Sequence, residues 1–149
     1  MNGIYTTSAS TEYSTTTYGV WQCFGNNVSN SWASKPNYSS GIPYSGSAST
    51  TIVGVGNVLG EWCQILFPYS FILTKWNVTT TTGGASGRVV YLLGSNDGTT
   101  WNQLDYYSTD GSSDTHLATL SNSTSYSYYR YVGNVSGATY VMAKMTLWK

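Results

Sequence analysis

No long stretch of this chain repeats its apolar residues at helical spacing, so its core must be built from strands. The clearest alternation runs from Glu61 to Phe67, where Cys63, Ile65 and Phe67 fall on one face. Pro68 is expected to end that run. Phe71 to Thr80 reads as a strand with Ile72, Trp76 and Val78 on one face. Arg88 to Ser95, Trp101 to Tyr107, His116 to Leu120, Tyr126 to Val132 and Val141 to Trp148 follow as further strands. Thr51-Ile52-Val53 is a short one inside the Ser-, Gly- and Tyr-rich stretch Ala33 to Gly60. So many short strands predict an all-β fold, a jelly-roll sandwich of about eight strands. Its expected core holds Cys63, Ile65, Trp76, Val78, Val90, Leu92 and Trp101.

The turn between two of these strands reads Ser95-Asn96-Asp97-Gly98-Thr99-Thr100. Asp97-Gly98 supplies a residue free to take positive φ, which closes a hairpin, and Trp101 can cover its end. That role is architectural. Residues 1–149 are expected to form one domain, with residues 1–17 as a polar arm or edge strand. Cys23 and Cys63 lie in apolar surroundings and fit either buried free thiols or a single disulfide.

Charge excludes several functions. Six basic residues balance six acidic ones, for a net charge of zero. A nucleic-acid binder needs a basic face, so nucleic acid is not an expected partner. No segment approaches the ~20 apolar residues of a membrane span, so membrane insertion is not expected either. Polarity comes instead from Ser, Thr, Asn and 14 Tyr, in the style of all-β domains exposed outside cells. Catalysis lacks its parts. His116, the one histidine, sits in a strand-like run. The acids are scattered and the cysteines lack metal-ligand spacing, so neither an enzyme nor a cofactor is expected.

Four segments in order resemble a known family. Gly60-Glu61-Trp62-Cys63-Gln64-Ile65 resembles its GEWLQI strand, and Ser95 to Trp101 its SNDGTTW hairpin. Tyr128-Tyr129-Arg130-Tyr131-Val132 resembles YRYVRL, and Ala143 to Trp148 the closing AEIELY. The family is the discoidin, or coagulation-factor C-type, domain within the galactose-binding-like jelly rolls, and the likeness spans Val20 to Trp148. It implies a non-catalytic module that binds glycans through the loops at one end of the sandwich. The Tyr-rich style also resembles copies on fibre and surface proteins of large viruses. That implies attachment to a cell-surface glycan from an extracellular or virion surface, in several copies or as a homo-oligomer.

By this resemblance, the ligand-binding candidates are Lys35, Asn37, Tyr38 and Tyr44 in the long loop before the GEW strand, Thr80 and Arg88 around the loop before the SNDG strand, and Asn134 and Tyr140 before the last strand. An aromatic face suits the apolar side of a sugar, and fixed donors and acceptors suit its hydroxyls. Arg88 is the best single candidate, because a guanidinium fork fixes ring hydroxyls. Arg130 matches a strand position and is read as structural.

Many members of the family also hold a structural calcium in the first loop. Here Gly25 replaces the liganding Asp, Asn30 replaces a Thr, and Lys144 stands where the family has a Glu ligand. No metal is therefore expected, and the Lys144 ammonium is expected to take its place. Two rival functions remain: a structural or oligomerisation domain of a fibre, and a phospholipid-head binder using Ile52, Val53, Val55, Val58 and Leu59.

Overall fold

The computed structural model describes residues 4–25, 30–39, 42–79, 87–109 and 115–149. Its strands are β1 (Thr6–Ala9), β2 (Trp32–Ala33), β3 (Ser49–Ile52), β4 (Gly56–Leu59), β5 (Glu61–Phe71), β6 (Lys75–Thr79), β7 (Gly87–Ser95), β8 (Asn102–Ser108), β9 (Thr115–Thr119), β10 (Tyr126–Ser136) and β11 (Met142–Trp148). One short helix, α1 (Trp21–Phe24), precedes β2. Five strands form one sheet, in the order β1-β5-β10-β7-β8, and four form the other, β2-β11-β6-β9. All the pairings inside both sheets are antiparallel.

The apolar faces of the two sheets meet in a core containing Cys63, Ile65, Val90, Leu92, Tyr129 and Tyr131 from one sheet and Trp76, Val78 and Met145 from the other. Trp32 and Trp76 are fully buried. Large rings such as these bring much of the core's apolar area. At the open side between β8 and β9, Asp105 Oδ2 accepts from Trp76 Nε1 at 2.7 Å and lies 2.9 Å from His116 Nε2. The His116 ring stacks on Tyr107 with centroids 3.9 Å apart. The lone histidine thus joins two sheet edges.

Four details depart from the sequence reading. Pro68 does not end its strand: β5 runs on to Phe71, because the ladder jumps from Leu66↔Tyr128 to Phe71↔Tyr126 and the proline sits in that irregularity, where its missing N–H costs no ladder bond. Ile72 is 42% exposed while Leu73 is buried. β6 starts only at Lys75, so strand alternation does not reach back to Ile72. Trp101 is buried but not between the sheets. It lies on the outer face of the five-stranded sheet, under the β3–β4 hairpin, with Ile52, Val58, Leu93 and Val132. There Arg130 is stacked between two indoles, its guanidinium carbon 4.0 Å from the Trp62 ring and 3.9 Å from the Trp101 ring. Finally, Ile52 and Val58 are covered, leaving only Val53, Val55 and Leu59 of the five proposed lipid-facing residues exposed.

The turn from Ser95 to Thr100 is architectural. Gly98 has φ +71°. Asp97 Oδ1 accepts the amides of Thr99 and Thr100, each at 2.7 Å. Those bonds hold the Asp97 carboxyl well below the usual carboxylate range.

Candidate functional site

The end of the sandwich that carries the long loop is organised around one buried carboxylate. Glu61 opens β5 and is fully buried. Its Oε1 accepts from Asn37 Nδ2 at 2.7 Å and from the Tyr44 hydroxyl at 2.8 Å. Its Oε2 accepts from Thr11 Oγ1 at 2.8 Å and from Ser10 Oγ. Four neutral donors replace a cation here, which is how a carboxylate survives out of water. Tyr38 adds a second tie: its hydroxyl donates to the Gly133 carbonyl at 2.6 Å and accepts from the Glu61 amide at 2.9 Å.

This arrangement changes the role of three candidates. Tyr38 and Tyr44 are each 5% exposed, with ring centroids 5.0 Å apart. A ring buried in this way offers no free face to a sugar, so the structure assigns both to bracing the loop. Burial raises the pKa of both hydroxyls, Tyr44 to about 12, so they stay protonated donors. Asn37 is half-buried and spends an amide hydrogen on Glu61. Beside the brace lies a cavity of about 390 Å³, lined by Ser10, Thr11, Asn37, Tyr44, Ser47 and Trp62 among others.

The other candidates sit at the same end. Lys35 is exposed, its amide bonded to Thr11 Oγ1 at 3.0 Å. Asn134 follows Gly133 in β10, and its Nδ2 donates to the Leu59 carbonyl at 2.7 Å. Tyr140 is half-buried, and its carbonyl accepts from Ser136 Oγ at 2.6 Å. Ser136 pairs with Gly87, which brings Arg88 alongside. Arg88 is half-buried, and its Nε is enclosed without a hydrogen-bond partner. Thr80 lies outside the described residues.

An aromatic patch escaped the sequence reading. Tyr13, 55% exposed, meets Tyr18 edge-on at 5.9 Å and leans against Tyr140 at 5.9 Å. Residues 1–17 read as a polar arm or edge strand because their apolar content is low and unperiodic. The bonds from the Tyr13 amide to the Ala33 carbonyl, at 2.8 Å, and from the Ala33 amide to the Tyr18 carbonyl, at 3.2 Å, hold Tyr13 and Tyr18 beside the strand that leads from Tyr140. Two buried thiols are also explained: Cys23 on α1 and Cys63 on β5 are free, with sulfurs 3.3 Å apart.

Beside the end of α1, position 144 places an ammonium. Lys144 is 8% exposed and donates from Nζ to the Gln22 carbonyl at 3.1 Å and to the Gly25 carbonyl. Among the described residues, no three His, Cys, Asp or Glu side chains gather where they could hold a metal.

No family model matches the sequence, and no curated protein does. Solved structures match along nearly the whole chain. One is the module CpGH89CBM32-5 of Clostridium perfringens in complex with GalNAc-beta-1,3-galactose, with TM-score 0.70, 13% identity, and coverage of 97% of this chain and 95% of that one. Another is chitosan-binding module 1 from a chitosanase/glucanase of Paenibacillus sp. IK-5, with TM-score 0.71, 16% identity, and coverage of 97% and 94%. A third is the family 32 carbohydrate-binding module of C. perfringens NanJ in complex with galactose, with TM-score 0.71, 11% identity, and coverage of 97% and 93%. The fold is the galactose-binding-like jelly roll. In this jelly roll the loop end is drawn together by Glu61 from beneath, and Arg88, Lys35, Asn134 and the Tyr13–Tyr140 pair are left around it.

Proposed function

We propose that the chain is a non-catalytic carbohydrate-binding module that recognises a cell-surface glycan from an extracellular position. The observation that carries this reading is the match, over 97% of the chain, to modules solved with sugars bound. The loop end supports it chemically. Arg88, half-buried on β7, supplies a guanidinium, Asn134 an amide, and Tyr13 with Tyr140 a partly exposed aromatic face. Those are the two kinds of contact a pyranose asks for. Such a shallow site binds weakly, on the order of micromolar to millimolar, because few contacts offset the cost of association. Display in several copies, as on a virion or cell surface, would raise avidity.

A glycan array on the whole chain tests the class. Titration of a confirmed hit against Arg88→Ala and Tyr13→Ala then tests the place. Loss of affinity in both variants with an unchanged melting temperature is the expected result. An array with no hit refutes the function, and two variants that bind like the parent refute the site.

A further inference from the structure

The calcium implied by the resemblance would lie in the loop that follows α1, and the residues present there do not fit it. Gly25 brings no carboxylate to that loop, and Lys144 brings an ammonium. The geometry shows that both positions nevertheless address one point. A Cβ built on Gly25 would lie 4.0 Å from Lys144 Nζ. An acidic side chain at position 25 would therefore reach the place the ammonium now occupies. Gly25 itself has φ −78° and ψ 165°, an extended conformation open to any residue, so the backbone does not demand the glycine.

We infer that Lys144 Nζ is the built-in cation of this loop, holding α1 and the chain after it against β11 as a bound metal would. Nζ donates to Gln22 O and Gly25 O, carbonyls at the last turn of α1 and just beyond it. Unpaired carbonyls facing the interior need a donor or a cation, and an ammonium offers three donors with no acceptor. Ala143 and Met145, on either side of Lys144 in β11, face the core, so the Lys144 stem leaves the strand on the opposite face and is covered there to 8% exposure. A second cation is repelled by the first, and no acidic ligand remains at either position to offset that repulsion. Burial also pushes the Lys144 pKa down, as for an ammonium paired only with neutral carbonyls. The consequence is a jelly roll in which the tie between β11 and the end of α1 does not depend on calcium.

The test is a set of melting curves on the whole chain and two variants, each in chelator and in millimolar calcium chloride. The parent is expected to melt at the same temperature in both. Lys144→Met strands the two carbonyls and is expected to melt lower by roughly 3–10 °C. The double variant Gly25→Asp/Lys144→Glu restores two acidic ligands around the same carbonyls. It is expected to melt higher in calcium than in chelator. A parent stabilised by calcium overturns the inference, and that measurement does not depend on any variant folding. So does a Lys144→Met protein as stable as the parent, or a double variant indifferent to calcium. None of these readouts involves a glycan, so the inference stands or falls apart from the proposed function.

Discussion

Replacing Glu61 with alanine removes the acceptor of four donors at once, and the sign of its effect is set by competing terms. In the native fold the carboxylate is fully buried, which costs several kcal/mol of lost hydration. Hydrogen bonds to a charged group contribute about 1.5–3 kcal/mol each, so four of them outweigh that cost by a few kcal/mol. In Glu61→Ala the charge penalty disappears, but so do the bonds. Ser10, Thr11 and Asn37 are only half-buried and can turn to water. Tyr44 is buried and keeps little access to it. Its stranded hydroxyl costs about 1–3 kcal/mol, and the emptied space beneath the loop adds to this. The expected destabilisation is about 2–4 kcal/mol.

Urea unfolding followed by tryptophan fluorescence measures it as a fall in the midpoint at constant slope. A double-mutant cycle isolates the brace. Tyr44→Phe should cost about 1–2 kcal/mol in the parent and close to nothing in the Glu61→Ala background, because its partner is already gone. Strict additivity of the two substitutions, or a Glu61→Ala protein within ~0.5 kcal/mol of the parent, would refute the reasoning.

Alkali should unfold the domain between about pH 10 and 12. Burial raises the Tyr44 and Tyr129 hydroxyls from 10.0 to about 12. A raised acid favours its neutral form in the fold, so its contribution is whole below pH 10 and is lost as pH rises towards 12. Circular dichroism should lose the native signal as tyrosinate absorbance rises, and a native spectrum at pH 12 would contradict this. Gly98→Ala forces a side chain into φ +71°, with its Cβ 3.3 Å from the Tyr128 ring. It should cost about 1–2 kcal/mol in urea unfolding, and an unchanged midpoint would show that the turn is less fixed than described.

Much of the fold was legible because apolar alternation is local. Cys63, Ile65, Trp76, Val78, Val90 and Leu92 face the core as two-residue periodicity requires. Periodicity failed where position depends on another part of the chain. Trp101 is as buried as expected, but beneath a hairpin on the far side of its sheet, and nothing in a strand's own sequence says which face a distant hairpin will cover. Tyr38 and Tyr44 read as loop aromatics free to meet a ligand. Their burial follows from Glu61, whose role as a buried acceptor needs partners 17 to 51 residues away. Arg88 and Lys144 were visible as isolated charges in a chain with few. Tyr13 was not, since an exposed ring in a polar arm gains its neighbours only on folding.

The ties from the first residues to Glu61 decide where this module could be cut. Thr6 to Ala9 pair with Cys63 to Leu66. Ser10 and Thr11 supply two of the carboxylate's four donors, and the Thr11 carbonyl accepts the indole hydrogen of the buried Trp32 at 2.9 Å. Recombination that moves the domain into another polypeptide must therefore place its upstream junction before Thr6. A junction a few residues later would keep every strand of the inner sandwich except β1, yet leave the chain that carries Asn37 and Tyr44 with half its anchor missing.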